Sequence, residues 1–169
     1  CLNLLTISNT SYHKTGELVT EEAIKWADQR VASRDRQPFF MWLHYFDPHE
    51  IYRDHAEYDF GKHDIDLYDE EIRYTDAQLE RLFSSIEALP FAEDTYFIIH
   101  SDHGEAFFEH GKSEHRGMPY EEELRIPLLL FGRKRSSGTG GQSPSSAPLP
   151  LWLLALRWPR LVCLVSSFP

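Results

Sequence analysis

Two apolar runs, each stopping in a knot of histidine and aspartate, constrain this chain more than any other feature. Pro38-Phe39-Phe40-Met41-Trp42-Leu43-His44-Tyr45-Phe46 ends in Asp47-Pro48-His49, and Thr95-Tyr96-Phe97-Ile98-Ile99-His100 ends in Ser101-Asp102-His103-Gly104-Glu105. A short apolar and β-branched run bounded by turn residues reads as a buried strand. Residues 67–89 between them read as an amphipathic helix, with Asp66 as its cap and Ile72, Leu79, Phe83, Ile86 and Leu89 near one stripe. Residues 18–34 read as another. Thr20 suits its cap, Glu21 and Glu22 its first turn, and Ile24, Ala27 and Val31 share a face. A third apolar run covers residues 126–131, where Pro127 points to a strand start or edge. The order helix, strand, helix, strand, loop, strand predicts an α/β fold: a mainly parallel sheet flanked by helices, with right-handed crossovers. The polar segment 51–66 is expected to loop over the site.

Charge narrows the partners. All 27 acidic residues lie in residues 1–132 with 12 of the 17 basic ones, so this body carries about −15 and the remainder about +5. Such a body argues against nucleic acid as a partner, which calls for clustered Lys and Arg. An anionic substrate would need local positive charge from a metal, histidines or a few Lys and Arg. Cys1 and Cys163, at opposite ends, do not define a redox compartment. The start, Cys1-Leu2-Asn3-Leu4-Leu5, has no signal-peptide pattern and reads as the interior of a longer protein.

The composition changes after Gly132. Residues 136–150 are rich in Ser, Gly and Pro, and an apolar stretch with Arg157, Pro159 and Arg160 follows. Residues 1–132 are therefore expected to form one partial catalytic domain. Residues 133–169 are expected to be an irregular tail, disordered or translated out of frame. The uncharged run before Arg157 is too short to span a membrane.

Ligands in open α/β sheets bind beyond the carboxyl ends of the strands, and both histidine–aspartate knots are expected there, on neighbouring strands. Asp102 and His103 offer a carboxylate and an imidazole, both good ligands for a divalent metal. Gly104 would let the chain turn as it leaves the sheet. His49 would project from the same edge after Pro48, where an imidazole can hold an anionic oxygen or protonate a leaving group. Asp47 reads as a turn former and His44 as a core residue. The loop Glu109-His110-Gly111-Lys112-Ser113-Glu114-His115-Arg116-Gly117 is rich in anion-binding groups, with Lys112, His115 and Arg116 as candidate substrate contacts. Glu121-Glu122-Glu123 reads as a short helix start leading into the last strand.

Taken together, the segment from Pro38 to His49, Tyr74-Thr75-Asp76, Ser101-Asp102-His103-Gly104-Glu105 and the stretch from Tyr120 to Leu128 resemble the sulfatase family of the alkaline-phosphatase-like superfamily. The resemblance covers roughly residues 10–132. It implies an alkaline-phosphatase-like α/β fold, here incomplete, and hydrolysis of a small-molecule or glycan sulfate ester at a divalent metal. It implies Asp102 and His103 as metal ligands and His49 and His115 as catalytic groups on the transferred group, beside the Lys112 and Arg116 that the loop itself offers as substrate contacts. Calcium, manganese or magnesium is the implied cofactor, with zinc open because of the imidazole ligand. A histidine after Asp102 is also similar to the subgroup of phosphonate monoester hydrolases and phosphoglycerol transferases, so phosphodiester or phosphonate chemistry is the alternative. A non-catalytic fragment is the third reading. The family's Cys- or Ser-x-Pro-x-Arg motif, source of its formylglycine nucleophile, has no counterpart in this sequence, nor does its N-terminal aspartate pair. The chain alone is therefore expected to be inactive. A periplasmic, secreted or lysosomal location is implied by the resemblance only.

Overall fold

A computed structural model describes residues 3–8, 15–111, 120–132 and 160–166. The elements are β1 (Asn3–Ser8), α1 (Thr15–Ala32), β2 (Phe39–Tyr45), α2 (Asp64–Glu87), a 3-10 turn (Ala92–Asp94), β3 (Thr95–Ser101), α3 (Glu121–Leu124), β4 (Leu128–Gly132) and β5 (Arg160–Ser166). Five strands form one sheet in the order β1-β2-β5-β3-β4. The pairings β1–β2, β2–β5 and β5–β3 are parallel, and β3–β4 is antiparallel.

Strand geometry sends successive side chains to opposite faces. In β2, Phe39, Met41, Leu43 and Tyr45 are buried while Phe40, Trp42 and His44 are half-buried. The buried set packs against Val19, Ala23 and Ala27 of α1 and Leu79, Leu82 and Ile86 of α2. Those helical positions recur at spacings of three and four, so each helix turns one stripe to the sheet. Phe39 anchors an aromatic corner, meeting Trp26 edge-on at 4.9 Å and Phe91 at 5.6 Å. Arg30 closes that corner. Its guanidinium lies 5.0 Å from both the Trp26 and Phe39 rings, bonds Asp35 at 2.8 Å, and donates to the Gln37 carbonyl.

Both helices begin earlier than expected. Thr20 lies inside α1, buried, with its hydroxyl 2.8 Å from the Tyr45 hydroxyl. It links helix to strand instead of capping. For α2 the cap is His63, whose backbone N–H donates to the Asp66 carboxylate at 3.0 Å. Asp66 thus holds the N3 position of a capping box.

The tail is corrected at one place. Residues 160–166 are a strand, paired in parallel with β2 on one side and β3 on the other. The sequence Leu161-Val162-Cys163-Leu164-Val165 has the continuous apolar, β-branched character of an interior parallel strand. Its distance from the other strands, across a Ser/Gly/Pro-rich stretch, hid it. As a result β2 and β3 are not direct neighbours; β5 separates them. Among the described residues, no helix is long and apolar enough to cross a membrane.

The packing gives a direct test. Met41→Ala, at a fully buried position, is expected to cost about 2–5 kcal/mol. Glu80→Ala, on the exposed face of α2, should stay within about 0.5 kcal/mol. Urea unfolding of the two variants at one pH checks the contrast.

Candidate active site at the carboxyl edge of the sheet

The register sets where the knots fall. Tyr45 of β2 and Ser101 of β3 both pair with Ser166 of β5. Two strand spacings, roughly 10 Å, therefore separate β2 and β3 where they end. Phe46-Asp47-Pro48-His49 leaves the sheet from one and Asp102-His103 from the other, both at the carboxyl edge.

Asp102 is exposed and His103 half-buried. Asp102 Oδ1 accepts the His103 backbone N–H at 3.1 Å and lies 3.7 Å from His103 Nε2. His103 Nδ1 is 2.9 Å from the Gly104 carbonyl oxygen. A carbonyl only accepts, so Nδ1 carries a proton, and in the neutral ring Nε2 keeps the lone pair, as metal-binding imidazoles do. A carboxylate oxygen beside an imidazole suits a divalent cation. Among the described residues, however, no group of three or more His, Cys, Asp or Glu is gathered to hold one. The pair offers two donor atoms at the carboxyl edge of the sheet.

Gly104 serves a purpose other than the expected turn. Its N–H donates to the Glu123 carbonyl at 2.7 Å, and a Cβ there would meet the Glu122 carbonyl oxygen at 2.0 Å. The glycine lets the backbone of α3 press against the residues after β3. Glu121-Glu122-Glu123 does open a short helix before β4.

His49 is tightly framed. Its backbone N–H donates to Glu71 Oε2 at 3.0 Å, and its ring stacks on Phe46 at 4.2 Å. Nδ1 lies 2.5 Å from the Glu50 carbonyl oxygen, which again assigns the proton to Nδ1. Asp47 is buried; its carboxylate accepts the Gly16 N–H at 2.8 Å and its carbonyl accepts the Thr75 hydroxyl at 3.1 Å. Its part is structural, as its turn position suggests. Lys112, His115 and Arg116 lie outside the described residues.

Sequence reasoning missed Glu70 and Glu71, both buried near the start of α2. Glu71 accepts from the His49 and Arg53 backbone N–H groups at 3.0 and 3.1 Å. Glu70 accepts from those of His55 and Phe60 at 2.8 and 2.9 Å. The chain after β2 is thus tied to α2 at four backbone points. Burial pushes the Glu71 carboxyl up to about 8, against the pull of its two N–H donors. The missed signal was positional: Glu71, Thr75, Gln78, Leu82 and Ile86 form one buried stripe, so a carboxylate stood where periodicity called for an apolar residue. His55 stacks on Tyr74 at 4.5 Å, and burial lowers its pKa.

Within the segment expected to loop over the site, the Tyr52 hydroxyl donates to Glu105 beyond β3. Together with residues 106–108 that segment walls a cleft of about 530 Å³. The cleft begins at Glu50, next in the chain to His49.

An open α/β sheet that brings a carboxylate–imidazole pair and a second framed imidazole to its carboxyl edge defines an α/β domain with an edge site. The chain belongs to the sulfatase family, which residues 6–146 match. It is 31% identical over 119 residues to the mouse (Mus musculus) iduronate 2-sulfatase, covering 66% of this chain and 21% of that protein. It is 25% identical over 154 residues to the "Putative extracellular sulfatase Sulf-1 homolog" of Caenorhabditis elegans, covering 69% of this chain and 22% of that protein. The chain thus spans about a fifth of the length of these curated relatives. No solved structure matches it at comparable significance.

Glu71 makes stability depend on pH. Between its ordinary value of 4.5 and its folded value of about 8, the folded chain keeps a proton that the unfolded chain has released. Stability is therefore expected to fall as pH rises through that window, by up to ~1.4 kcal/mol per pH unit, and to level off above it. Glu71→Gln should flatten this dependence. Urea midpoints for both proteins at the two ends of the window test it; identical pH dependences would contradict the assignment.

Proposed function

We propose that the parent protein of this chain hydrolyses sulfate esters with the help of a divalent cation, and that this segment supplies one side of its active site. The family match carries the reading. The common edge at which His49 and the Asp102–His103 pair leave the sheet supports it. Asp102 and His103 would hold the cation. When bound, it would neutralise sulfate charge and polarise an S–O bond. Calcium, manganese and magnesium are the candidates.

His49 would contribute from the other side of β5. The Nδ1 proton faces the Glu50 carbonyl, and Nε2 would be the nitrogen that acts on substrate. In the imidazolium form it donates to a sulfuryl oxygen or passes its proton to the departing alkoxide, and the neutral form takes a proton back. Stacking on Phe46 and the Glu71 bond to its backbone fix the ring's approach, so little ordering remains when substrate arrives. Lys112, His115 and Arg116 would contact the transferred group. The names of two relatives, both extracellular sulfatases, support an exported parent protein.

The sequence holds no Cys- or Ser-x-Pro-x-Arg motif. The nucleophile would come from elsewhere in the parent, and this chain alone should not turn over an aryl sulfate. In the parent, His49→Ala is expected to lower kcat/KM for a sulfate ester by roughly 10²–10⁴. Assays of the complete protein on matched sulfate and phosphate esters are decisive. Faster phosphate hydrolysis would move the reading to phosphoryl chemistry, and turnover by the isolated chain would refute the missing-nucleophile argument.

A further inference from the structure

The cleft beside His49 is not accounted for by sulfate chemistry. We propose that it binds an uncharged aromatic ring, and that in the parent enzyme it receives the alcohol side of the ester. Its place in the reaction rests on the sulfate-ester reading; its capacity to bind does not.

The volume of about 530 Å³ lies within the range of small-molecule pockets. The walls are Ile51, Tyr52, Ile65, Leu67, Phe107 and Phe108. Three of these are unusually open for apolar residues: Ile51 is 83%, Phe108 67% and Ile65 49% exposed. Behind them stands a fixed aromatic base. Phe107 lies 5.9 Å from the Tyr52 ring and 5.0 Å from the Tyr68 ring, and Tyr52 and Tyr68 meet edge-on at 5.6 Å. The Tyr52 hydroxyl donates to Glu105 Oε2 at 2.6 Å, which locks that ring. Such a base offers faces and edges to an incoming ring, the arrangement aromatic pairs prefer.

Phe108 adds a separate observation. Its φ of 71° puts a bulky side chain in the left-handed region, which only the surrounding fold can sustain. The Gly111 N–H donates to the Phe108 carbonyl at 3.0 Å and closes the turn that holds it there. The turn thus presents an exposed aromatic side chain to the cleft.

Charge selects the ligand. Glu50, His63 and Asp64 border the cleft, and among the described residues no Lys or Arg lines it. An anion is repelled and a neutral ring is not. The chain runs from this cleft directly into His49, whose Nδ1 contacts the Glu50 carbonyl. A neutral ring seated here therefore lies one residue along the chain from the imidazole assigned to the leaving oxygen.

The test needs no turnover. The purified chain is dialysed to equilibrium against 2-naphthol and, separately, against 2-naphthalenesulfonate at about pH 6, where a phenol is neutral because it ionises near 10. Saturable binding of naphthol is expected, with the sulfonate roughly tenfold or more weaker. Ile51→Ser and Phe108→Ser should each weaken naphthol binding by roughly tenfold. Phe60→Ser, at an exposed phenylalanine outside the cleft, should leave it unchanged. No saturable binding, equal binding of both probes, or binding undiminished in both cleft variants would overturn the proposal. So would the absence of a cooperative unfolding transition, since the cleft would then not be formed. Failure of the parent on sulfate esters would sink the reading above and leave this result standing.

Discussion

Two adjacent buried carboxylates, Glu70 and Glu71, carry the geometry of the site. A carboxyl group taken out of water costs free energy unless its oxygens are bonded, and Glu71 limits that cost by keeping its proton up to about pH 8. Here each oxygen of each group accepts one backbone N–H, from His49, Arg53, His55 and Phe60. The bond is mutual in its benefit. A polar segment without regular structure needs partners for its N–H groups where it is covered, and the helix supplies them. Removing either carboxylate would orphan donors on that segment, so the helix and the loop it holds stand or fall together.

What the carboxylates hold is the stretch that carries both His49 and one wall of the neighbouring cleft. Their own position depends on the apolar half of the same helix. Leu79, Leu82 and Ile86 seat α2 on β2. Above them, Thr75 bonds the Asp47 carbonyl and the Tyr74 hydroxyl accepts the Glu17 N–H at 3.1 Å. One helix is thus divided along its length: its C-terminal turns belong to the core, and its N-terminal turns belong to the site. Burial pushes the Tyr74 hydroxyl up to about 12, so it remains a neutral partner at any pH the fold meets.

Much of this was legible in the chain. The strands at 39–45 and 95–101, the helix between them and the edge position of Asp102 and His103 follow from periodicity and from the turn residues that end each run. Three features were not legible, each for a physical reason. Residues 160–166 sit in the middle of the sheet, but strand order is a property of long-range pairing that local pattern does not encode. Gly104 looked like a conformational glycine, whereas its need arises from α3, whose backbone crosses it from some twenty residues away. Glu70 and Glu71 drew no reading from the sequence, because a pattern that scores carboxylates as polar does not register the four N–H groups that they accept. The tyrosine and threonine of Tyr74-Thr75-Asp76 had been singled out only through family resemblance, and their bonds to Glu17 and Asp47 now give them a physical role.

The charge balance bears on how an anionic ester could be held at all. Residues 1–132 carry a large negative excess, and several of the body's cations are already engaged. Lys62 bonds Asp54 at 2.7 Å, Arg73 bonds Asp76 at 2.6 Å, Arg30 bonds Asp35 at 2.8 Å and Lys25 bonds Glu22 at 3.0 Å. Such pairs steer little charge toward the sheet edge. Under the sulfate-ester reading, attraction for the anion would be local: a cation on Asp102 and His103, the His49 imidazole, and Lys112, His115 and Arg116. The same acidity turns a neutral flank into an advantage, since a cleft bordered by Glu50 and Asp64 repels the sulfate end of a substrate and accepts the other. Orientation would then come from repulsion at one end of the ester as much as from binding at the other.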